Sequence, residues 1–501
     1  MSSSPSATPT LLNTLSKSLT SLSSTRKLSV HVLQTEPRKT SSLYAHSIHH
    51  PKGTLLQDVL VLLYVHLKPE DLYISPKSNE AAPKEAEETS ETAAATPATT
   101  SPPSSSLSPV LLVALEAQLY TLPASPSVPS ASTILYISKV DTSGYPLPPS
   151  LQLPYARTLL TSFLAHHLSL STRPTPSVWI HLFARAQPQY LFPDSGKERE
   201  DLEEKTKPVL GGAGLCRWWK GTMERALEEG GLKGGDEGLG LNVLIPGMTE
   251  SEAAPFMTTK STSSYPWKFD LFNLPTPLIP IPPSTTTTLP LSLRLPTFPD
   301  DPRSRFLIDL TTNSSTPTPL SSHSTPSSSS ALEGFKEAKS IQSHQARQHA
   351  SDALASLSEE EFYERLAFRQ ECSLGDTVGF FCVSSISSNT PVRASTTEGD
   401  AKVDEAGGGT TNINKTLWSR LHATLLNQSF AKAEWSVKGS LVVWEAVRSM
   451  VGEERLGGVE GEVEAVEGAG GVERKRKAVV EQEEVKPVMM LAVRKKKKVV
   501  V

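Results

Sequence analysis

Large apolar and aromatic side chains are scarce in this sequence. Hydrophobic residues make up 37% of the 501-residue chain and aromatic residues only 6%, whereas proline occurs 40 times. A chain of this length could hold roughly two to four ordinary domains. So little apolar material cannot fill that many cores. We therefore expect one large domain that is interrupted by unstructured insertions.

Cysteines, long apolar runs and an excess of charge are scarce as well. The 3 cysteines, Cys216, Cys372 and Cys382, form no CxxC pair, which argues against a disulfide framework. No stretch of about 18 apolar residues occurs, and the chain does not open with a charged segment followed by an apolar run. The net charge of -4 gives no overall preference for nucleic acid. We predict a soluble, intracellular protein without membrane contact.

Histidines lack the neighbours of a metal site. Of the 12 histidines, four form two adjacent pairs, His49–His50 and His166–His167, but no Asp, Glu or Cys recurs near these pairs at metal-ligand spacing. We therefore predict that the protein binds no metal ion.

Four segments are too polar to offset the entropy cost of folding by burial. They are rich in Ser, Thr, Pro, Ala, Gly or Glu and cover about 79–108, 312–330, 384–411 and 451–501. The last contains the basic clusters Arg474–Lys477 and Arg494–Lys498. Such clusters are typical of nuclear import signals, of nucleic-acid patches, or simply of a solvated disordered end. We expect one domain over 1–450, a disordered tail over 451–501, and a location in the nucleus.

Strand-like apolar runs alternate with helical patterns over the remaining chain. The predicted strands are Leu28–Gln34, Gly53–Lys68, Val110–Thr121, Thr133–Ser138, Val178–Phe183, Leu241–Ile245 and Thr377–Val383. The predicted helices are Tyr155–Leu168, Gly214–Glu229, Pro302–Leu310, Ser358–Gln370, Lys415–Gln428 and Val437–Met450, of which the last could equally be a strand. This alternation predicts an α/β fold in which helices flank a central mixed β-sheet.

The first candidate site joins the end of a strand to the start of a helix. Asp141 and Thr142 end a strand, and Ala156, Arg157 and Thr158 open the helix that follows a Pro-rich loop. Free N–H groups at a helix start attract anions, and a guanidinium can bind a phosphate with two hydrogen bonds. The alternative is a solvated first turn on which Arg157 has no ligand, since no Gly-rich phosphate loop is present.

The second candidate site is a pair of adjacent carboxylates, Asp300 and Asp301, followed by Pro302. A carboxylate can accept the proton that an attacking amine must lose, and two adjacent carboxylates can raise each other's pKa. The alternative is structural, because Asp followed by Pro is typical of a helix N-cap and the first helical residue. The two interpretations are compatible.

The third candidate site is aromatic. Tyr190, Trp218 and Trp219 could line a narrow tunnel in which an aliphatic ammonium lies against aromatic faces. The alternative is ordinary core packing. Adjacent residues on a helix point about 100° apart, so at most one of the two indoles can face the centre of a site.

Five blocks of sequence together resemble a known family. They are Tyr136–Gly144, Leu182–Pro193, Arg217–Lys220, Pro299–Phe306 and Glu361–Cys372. As a set they are similar to the fungal histone acetyltransferases known as regulators of Ty-element transposition, over separate blocks from about Leu11 to Met450. That family is remotely similar in fold to the acetyltransferase domain of the CREB-binding protein. The resemblance implies direct transfer of an acetyl group from acetyl-CoA to a histone lysine, without an acyl-enzyme.

The resemblance also implies roles for individual residues. Asp301 matches the proposed proton acceptor with Asp300 beside it, and Trp219 and Tyr190 match residues around the substrate lysine. The positions expected to contact acetyl-CoA are Val140, Asp141, Thr142, Ala156, Arg157, Thr158, Phe183, Gln187, Pro208, Val209, Leu210 and Trp218.

Two positions depart from the family pattern. Arg303 stands where the family commonly has an autoacetylated lysine. Because arginine keeps its charge and has no lysine amine to acetylate, either activation differs or a different lysine is used. Pro208 replaces the usual histidine, so a cofactor contact there has to come from backbone carbonyls or packing.

The function that the resemblance implies is acetylation of newly synthesised histone H-three, together with histone H-four, in chromatin assembly, transcription regulation and the DNA damage response. The implied partners are histone chaperones of the nucleosome-assembly and anti-silencing types, without sequence-specific binding of nucleic acid. The alternative is a nuclear scaffold that binds histone chaperones but has lost turnover, which Arg303 and Pro208 favour. A nucleic-acid binder driven by the basic tail is a third, less favoured hypothesis.

Overall fold

The computed structural model describes residues 9–22, 26–47, 51–72, 107–124, 130–197, 207–257, 265–271, 291–313, 344–369, 377–386, 412–457 and 459–463. Most of the predicted insertions lie outside these residues, as do Cys372 and both basic clusters of the tail.

The strands of the described residues form one 10-stranded sheet. They are β1 (Leu28–Thr35), β2 (Arg38–Lys39), β3 (Leu55–Leu67), β4 (Ser108–Leu122), β5 (Ser132–Thr142), β6 (Ser177–Ala184), β7 (Leu239–Leu244), β8 (Gly379–Ile386), β9 (Asn412–Ile413) and β10 (Glu460–Val463). Their order is β10-β1-β3-β4-β5-β6-β8-β7, with β2 paired to β3 and β9 paired to β1. Neighbours are antiparallel except β5 with β6 and β1 with β9, so the predicted mixed sheet is confirmed.

Helices cover both faces of this sheet. In chain order they are α1 (Leu11–Thr20), α2 (Tyr155–Leu168), α3 (Gly212–Glu229), α4 (Glu250–Met257), α5 (Leu291–Arg294), α6 (Pro302–Asn313), α7 (His344–Ala355), α8 (Glu359–Ala367), α9 (Lys415–Leu426), α10 (Ala433–Val451) and α11 (Glu453–Leu456). None of these helices combines the length and the apolar character that crossing a membrane requires.

The structure corrects several predicted boundaries. The segment Val437–Met450, which could have been a strand, lies within α10. The prediction of a disordered tail from 451 onward was wrong for β10, because residues 460–463 pair with residues 28–31 of β1. Polar composition does not reveal such backbone pairing. Strands β4 and β8 and helix α6 also extend slightly into segments that were predicted to be insertions.

Three apolar clusters pack on the sheet. On the first face, α1, α2 and α3 bury one large cluster against odd-numbered residues of β3 such as Val59 and Val61. On the second face, one cluster lies beneath α6 and α8 and includes Tyr136. The other lies beneath α9 and α10 and includes Leu60 and Leu62. Since side chains alternate along a strand, the second face also carries a polar row between its two clusters, which includes Asp58, Glu116 and Gln118.

The connections place several helix starts at one edge of the sheet. Helix α2 connects the parallel neighbours β5 and β6. Strand β7 runs in the same direction as β6, because both are antiparallel to β8, and α3 lies between β6 and β7 in sequence. Helices α2 and α3 therefore both begin on the side where β5 and β6 end. In α/β sheets, ligands bind at the carboxyl ends of strands where neighbouring connections diverge.

Buried histidines predict a loss of stability in mild acid. Burial, with a smaller contribution from neighbouring cations, lowers the pKa of His46 and of His66 to about 4. Histidines of the unfolded chain titrate near pH 6.5. Between these values the unfolded chain binds more protons than the folded one, so the free energy of unfolding falls as the pH falls, by up to about 1.4 kcal/mol per pH unit for each histidine.

Urea unfolding at pH 7.5, 6 and 5 measures this dependence. The exposed His349 provides the matched control. We expect His46→Asn to make the acid loss shallower and His349→Asn to leave it unchanged. A free energy of unfolding that stays flat or increases from pH 7.5 to pH 5 contradicts the prediction.

Candidate active site

The Asp141 carboxylate lies buried at the end of β5 and is fully engaged by this chain. Its Oδ2 accepts hydrogen bonds from the backbone N–H groups of residues 190–192, at 2.7, 2.8 and 3.1 Å. Its Oδ1 accepts one from the Thr142 N–H, at 2.8 Å, and pairs with the Lys207 ammonium. Asp141 thus fixes the loop after β6 to the end of β5. Because both carboxylate oxygens are engaged, a ligand could contact Asp141 only through its backbone.

The loop after β6 is also closed on itself. The Tyr190 hydroxyl donates a hydrogen bond to the Arg185 carbonyl oxygen, so its phenol is directed along the loop. Gln187 lies between these two residues and is partly exposed. The loop then continues into Leu191 and Phe192, which are fully buried in the cluster beneath α9 and α10. These contacts give the predicted lysine-side residue Tyr190 a fixed position at the edge where β6 ends.

Arg157 lies in the first turn of α2 and has an unsatisfied donor. Its guanidinium stands over the Trp218 ring of α3, 5.7 Å from the ring centroid. Its Nε is buried and has no hydrogen-bond partner within the described residues. Burial, and then the positive charge of Arg225, lowers the pKa of Arg157. A phosphate placed here would satisfy the free donor and neutralise the two cations.

The start of α2 offers further N–H groups after Tyr155, whose own N–H donates to the Leu153 carbonyl oxygen, at 2.8 Å. The N-cap residues Pro154 of α2 and Gly211 of α3 make no side-chain cap hydrogen bond. The first N–H groups of a helix lack partners within the helix, and the helix dipole makes them attractive to anions. These features are compatible with an anion site, and the role predicted for Ala156, Arg157 and Thr158 stays a prediction.

The segment before α3 presents apolar side chains to solvent. Val209 is 49% and Leu210 is 43% exposed, and Pro208 next to them is exposed as well. Trp218 lies less than two turns into the helix and is partly buried. Exposed apolar residues beside an anion site suit a ligand that carries both a phosphate and an apolar chain.

The two indoles divide between surface and core, as the helix geometry requires. Their ring centroids lie 5.1 Å apart at an interplanar angle of 83°. Trp218 faces Arg157, whereas Trp219 is only 4% exposed and packs in the first-face cluster. Val140 and Ala156 pack against the same cluster. The predicted place of Trp219 beside a substrate lysine stays a prediction.

Asp301 is buried and paired, and it caps a helix. Its side chain is 0% exposed, and Arg303 holds both carboxylate oxygens, with Nε at 3.1 Å from each and one terminal nitrogen at 2.6 Å from Oδ2. Its Oδ1 also accepts a hydrogen bond from the Arg303 N–H, at 2.8 Å, at the start of α6. The predicted helix-cap interpretation is therefore confirmed. The Asp301 carboxylate is thus enclosed by this chain.

Asp300 differs from its neighbour in exposure and in partner. Its side chain is 53% exposed and its Oδ2 lies 3.3 Å from the Lys139 Nζ of β5. The segment before it is fixed to the same strand, because the Phe298 ring stacks on Tyr136 with centroids 4.3 Å apart. Of the two predicted carboxylates, Asp300 is the one that a ligand can reach.

The predicted Phe183 connects the strands to the helix cap. Its ring stacks on Phe380 of β8, 4.8 Å between centroids, and the Arg303 guanidinium lies over the same Phe380 ring at 4.7 Å. Phe183 is thus connected to Asp301 through contacts of Phe380 and Arg303. The structure likewise joins Arg157 to Trp218, and Asp141 to the loop that carries Tyr190.

Sequence reasoning missed Lys139, Glu116 and Lys207. Lys207 pairs with Asp141 across 66 positions, and Lys139 pairs with both Glu116 and Asp300. Lys139 lies within a block that was singled out by resemblance, so its chemistry could have been noticed. Its partners could not, because they come from other strands and loops.

Comparison with known proteins identifies the family. The model of the histone acetyltransferase KAT11-type domain matches residues 156–444, more than half of the chain. The chain belongs to this family. Fold similarity agrees: the crystal structure of Rtt109 from Aspergillus fumigatus superposes with a TM-score of 0.57 at 21% identity, over 90% of this chain and 99% of that one. The resemblance inferred from the sequence blocks is confirmed.

Two curated relatives are similar over part of their length. Histone acetyltransferase rtt109 of Aspergillus flavus is 28% identical over 274 residues, which cover 50% of this chain and 41% of that protein. Histone acetyltransferase rtt109 of Schizosaccharomyces pombe is 27% identical over 256 residues, which cover 50% of this chain and 51% of that protein. The alignments therefore span about half the length of these relatives. For metals, the described residues contain no group of three or more His, Cys, Asp or Glu side chains that could hold an ion.

Proposed function

We propose that this protein is a protein-lysine acetyltransferase that transfers an acetyl group from acetyl-CoA directly to a histone lysine. The observation that carries the proposal is the buried, unpartnered Nε of Arg157 beside Trp218, at the edge where α2 and α3 begin. Membership in the histone acetyltransferase family supports the same activity.

The residues at this edge fit acetyl-CoA. Arg157 and the N–H groups of the first turn of α2 would bind the pyrophosphate, and Trp218, Val209 and Leu210 offer apolar surface to the pantetheine chain. Pro208 has no hydrogen-bonding side chain, so its contact with the cofactor would be by packing or through its carbonyl. Phe183, Gln187 and the backbone of 140–142 remain proposed contacts.

The reaction forms one bond and breaks one. The lysine Nζ attacks the thioester carbonyl, the new C–N amide bond forms, the C–S bond breaks, and the thiolate of CoA leaves. The lysine ammonium must lose one proton before its Nζ can attack, because a free lysine has a pKa of about 10.4. The nitrogen loses a second proton as the amide forms, and the leaving thiolate can take it up as the thiol of CoA. A carboxylate or a water that it holds can accept the first proton.

Asp300 is the better proton acceptor of the two carboxylates. The family resemblance assigned this role to Asp301, but that residue is enclosed and bound at both oxygens by Arg303. Protonating it would break a buried ion pair. Asp300 is half exposed. Among the described residues, the ion pair of its carboxylate is with the ammonium of Lys139. We therefore assign proton acceptance to Asp300, or to a water that it holds, and helix capping to Asp301.

Substrate and partners are proposed from the family resemblance. The acceptor would be newly synthesised histone H-three in complex with histone H-four, presented by a histone chaperone of the nucleosome-assembly or anti-silencing type. The setting would be the nucleus, in chromatin assembly and the DNA damage response. A lysine between Tyr190 and Asp300 would meet an aromatic face on one side and a carboxylate on the other.

Transfer of labelled acetyl groups from acetyl-CoA to histones, with a chaperone added, tests the proposal. We expect Arg157→Ala to raise the KM for acetyl-CoA roughly 10- to 100-fold, the loss expected for one charge-assisted hydrogen bond. Arg217→Ala is the matched control, because this neighbour on the same side of the sheet is exposed and its guanidinium donates to the Pro255 carbonyl oxygen, at 3.2 Å. Its KM should not change.

Two outcomes contradict the proposal. Absence of transfer by the wild-type protein, while it still binds a histone chaperone, would leave the scaffold hypothesis standing. Equal KM values for wild type and Arg157→Ala would mean that the pyrophosphate of acetyl-CoA does not bind at the start of α2.

A further inference from the structure

An irregularity in β5 changes the direction of Lys139. Ile137 packs in the first-face cluster, and strict alternation would direct Lys139 to the same face. The pairing with β4 skips Ser138, however: Ala117 lies opposite Ile137, and the next residue of β4, Glu116, lies opposite Lys139. This bulge turns Lys139 to the second face of the sheet. Bulges of this kind re-aim side chains near active sites.

On the second face, Lys139 bridges two carboxylates. Its Nζ lies 3.3 Å from Glu116 Oε2 and 3.3 Å from Asp300 Oδ2. The two acids differ in exposure, since the Glu116 side chain is 10% and the Asp300 side chain 53% exposed. One carboxylate is therefore a fixed anchor, and the other faces the space where a substrate can enter.

Glu116, the anchor, is itself held by a helix that packs on the second face. His422 of α9 places its Nε2 3.1 Å from Glu116 Oε2. Burial lowers the pKa of Lys139, but the charges of Glu116 and then of Asp300 outweigh burial and leave that pKa raised. Lys139 is thus a permanent cation whose location is set by β4 and α9. It does not depend on the loop that carries Asp300.

Asp300 needs such a partner because its own backbone is unusual. Its φ of 58° lies in the left-handed region, which residues other than glycine rarely adopt. The following residue is fixed by Arg303 at the start of α6. With its backbone held on that side, the direction of the Asp300 carboxylate is decided by what it meets on β5, and that is the ammonium of Lys139.

Asp141 lies on the same face of the strand, two residues further. Positions i and i+2 of a strand are separated by roughly 7 Å. The cation that holds Asp300 is therefore close to the carboxylate that fixes the loop of Tyr190. Tyr190 and Asp300, the two sides of the candidate lysine site, are therefore both positioned by residues near the end of β5.

We propose that Lys139 is a positioning residue for the reaction, which holds the Asp300 carboxylate towards the incoming lysine and is anchored by Glu116 and His422. This inference rests on the proposed acetyltransferase function. It adds a residue that acts through Asp300 and does not itself contact the reacting atoms.

Steady-state kinetics of the full-length protein test the inference. We expect Lys139→Met to lower kcat about 10- to 100-fold, the effect of misplacing a reacting group by about 1 Å, with the KM for acetyl-CoA within twofold. Lys139→Arg keeps the cation and should retain most of the rate. In an Asp300→Asn background, Lys139→Met should cause no further loss, because residues that act through one another are not additive.

Lys415→Met is the matched control. Its ammonium also pairs with a buried carboxylate of the second face, Asp58 Oδ2 at 2.6 Å, but does not contact Asp300. It should leave kcat unchanged. Glu116 keeps its contact with His422 in Lys139→Met, and Asp58 keeps its ion pair with Arg38 in Lys415→Met, so all variants should share the thermal melting temperature of the wild type within a few degrees. If Lys139→Met is as active as wild type, or lowers kcat equally with and without Asp300, the positioning role is wrong. A wild-type protein that transfers no acetyl group overturns the proposed function itself, and this inference with it.

Discussion

Asp141→Ala should lower the free energy of unfolding by about 3–5 kcal/mol, the cost typical of removing one partner from a buried ion pair. The change leaves the Lys207 ammonium without its carboxylate and removes the acceptor of the N–H groups of residues 190–192. We expect the loop that carries Tyr190 to lose its fixed position, so acetyl transfer should fall with stability. Urea denaturation and the transfer assay together measure both effects.

The matched control is an exposed ion pair. Glu434 and Lys438 pair on α10 with side chains that are 71% and 70% exposed, and Glu434→Ala should change the free energy of unfolding by less than about 0.5 kcal/mol. Asp141→Asn should lie between Asp141→Ala and wild type, since the amide oxygen still accepts hydrogen bonds. A loss below about 1 kcal/mol for Asp141→Ala would mean that the carboxylate is not the anchor of this loop.

Arg303→Met should be comparably destabilising, by about 3–5 kcal/mol, because it leaves the fully buried Asp301 carboxylate without a counter-ion. The guanidinium also lies over the Phe380 ring. Arg303→Lys keeps a charge but cannot bind both oxygens as a fork, so we expect a smaller loss, of about 1–2 kcal/mol. Thermal and urea unfolding measure the series.

A double variant separates charge from packing. Asp301→Asn with Arg303→Met removes both charges while the amide oxygen can still cap α6. If the unpaired charge causes the loss, the double variant should be more stable than Arg303→Met alone. A double variant that is less stable than Arg303→Met would attribute the loss to packing against Phe380 instead.

The fold was largely predictable because its core elements carry strong local patterns. The Leu- and Val-rich runs became β3 and β4, and the helical spacing over Tyr155–Leu168 became α2 with the same bounds. Helix α1 was missed although it carries a signal: Leu11, Leu15 and Leu19 are spaced by four, and all are buried. Strand β10 has no such signal, since its Glu and Gly residues gain their structure only from pairing with β1.

Part of the candidate site followed from the family resemblance. Arg157 at a helix start and Trp218 in the aromatic segment were both expected near the cofactor, and the structure brings the two side chains into contact, while their contact with the cofactor stays a prediction. The difference in exposure and ion pairing between Asp300 and Asp301 was not predictable, because it arises from Arg303, which folds back onto Asp301. The direction of Lys139 was not predictable either, since it depends on a single skipped residue in the pairing of β4 with β5.

The last strand, β10, completes one edge of the sheet. Without it, β1 would present open N–H and C=O groups to other chains, which invites edge-to-edge association. Two glutamates secure this cover: Glu460 pairs with Arg448 of α10 at 3.1 Å, and Glu462 pairs with Lys27 just before β1. Acidic side chains on a short outer strand also repel a further strand. Residues 460–463 therefore cover an edge that would otherwise favour self-association, although their composition resembles that of a linker.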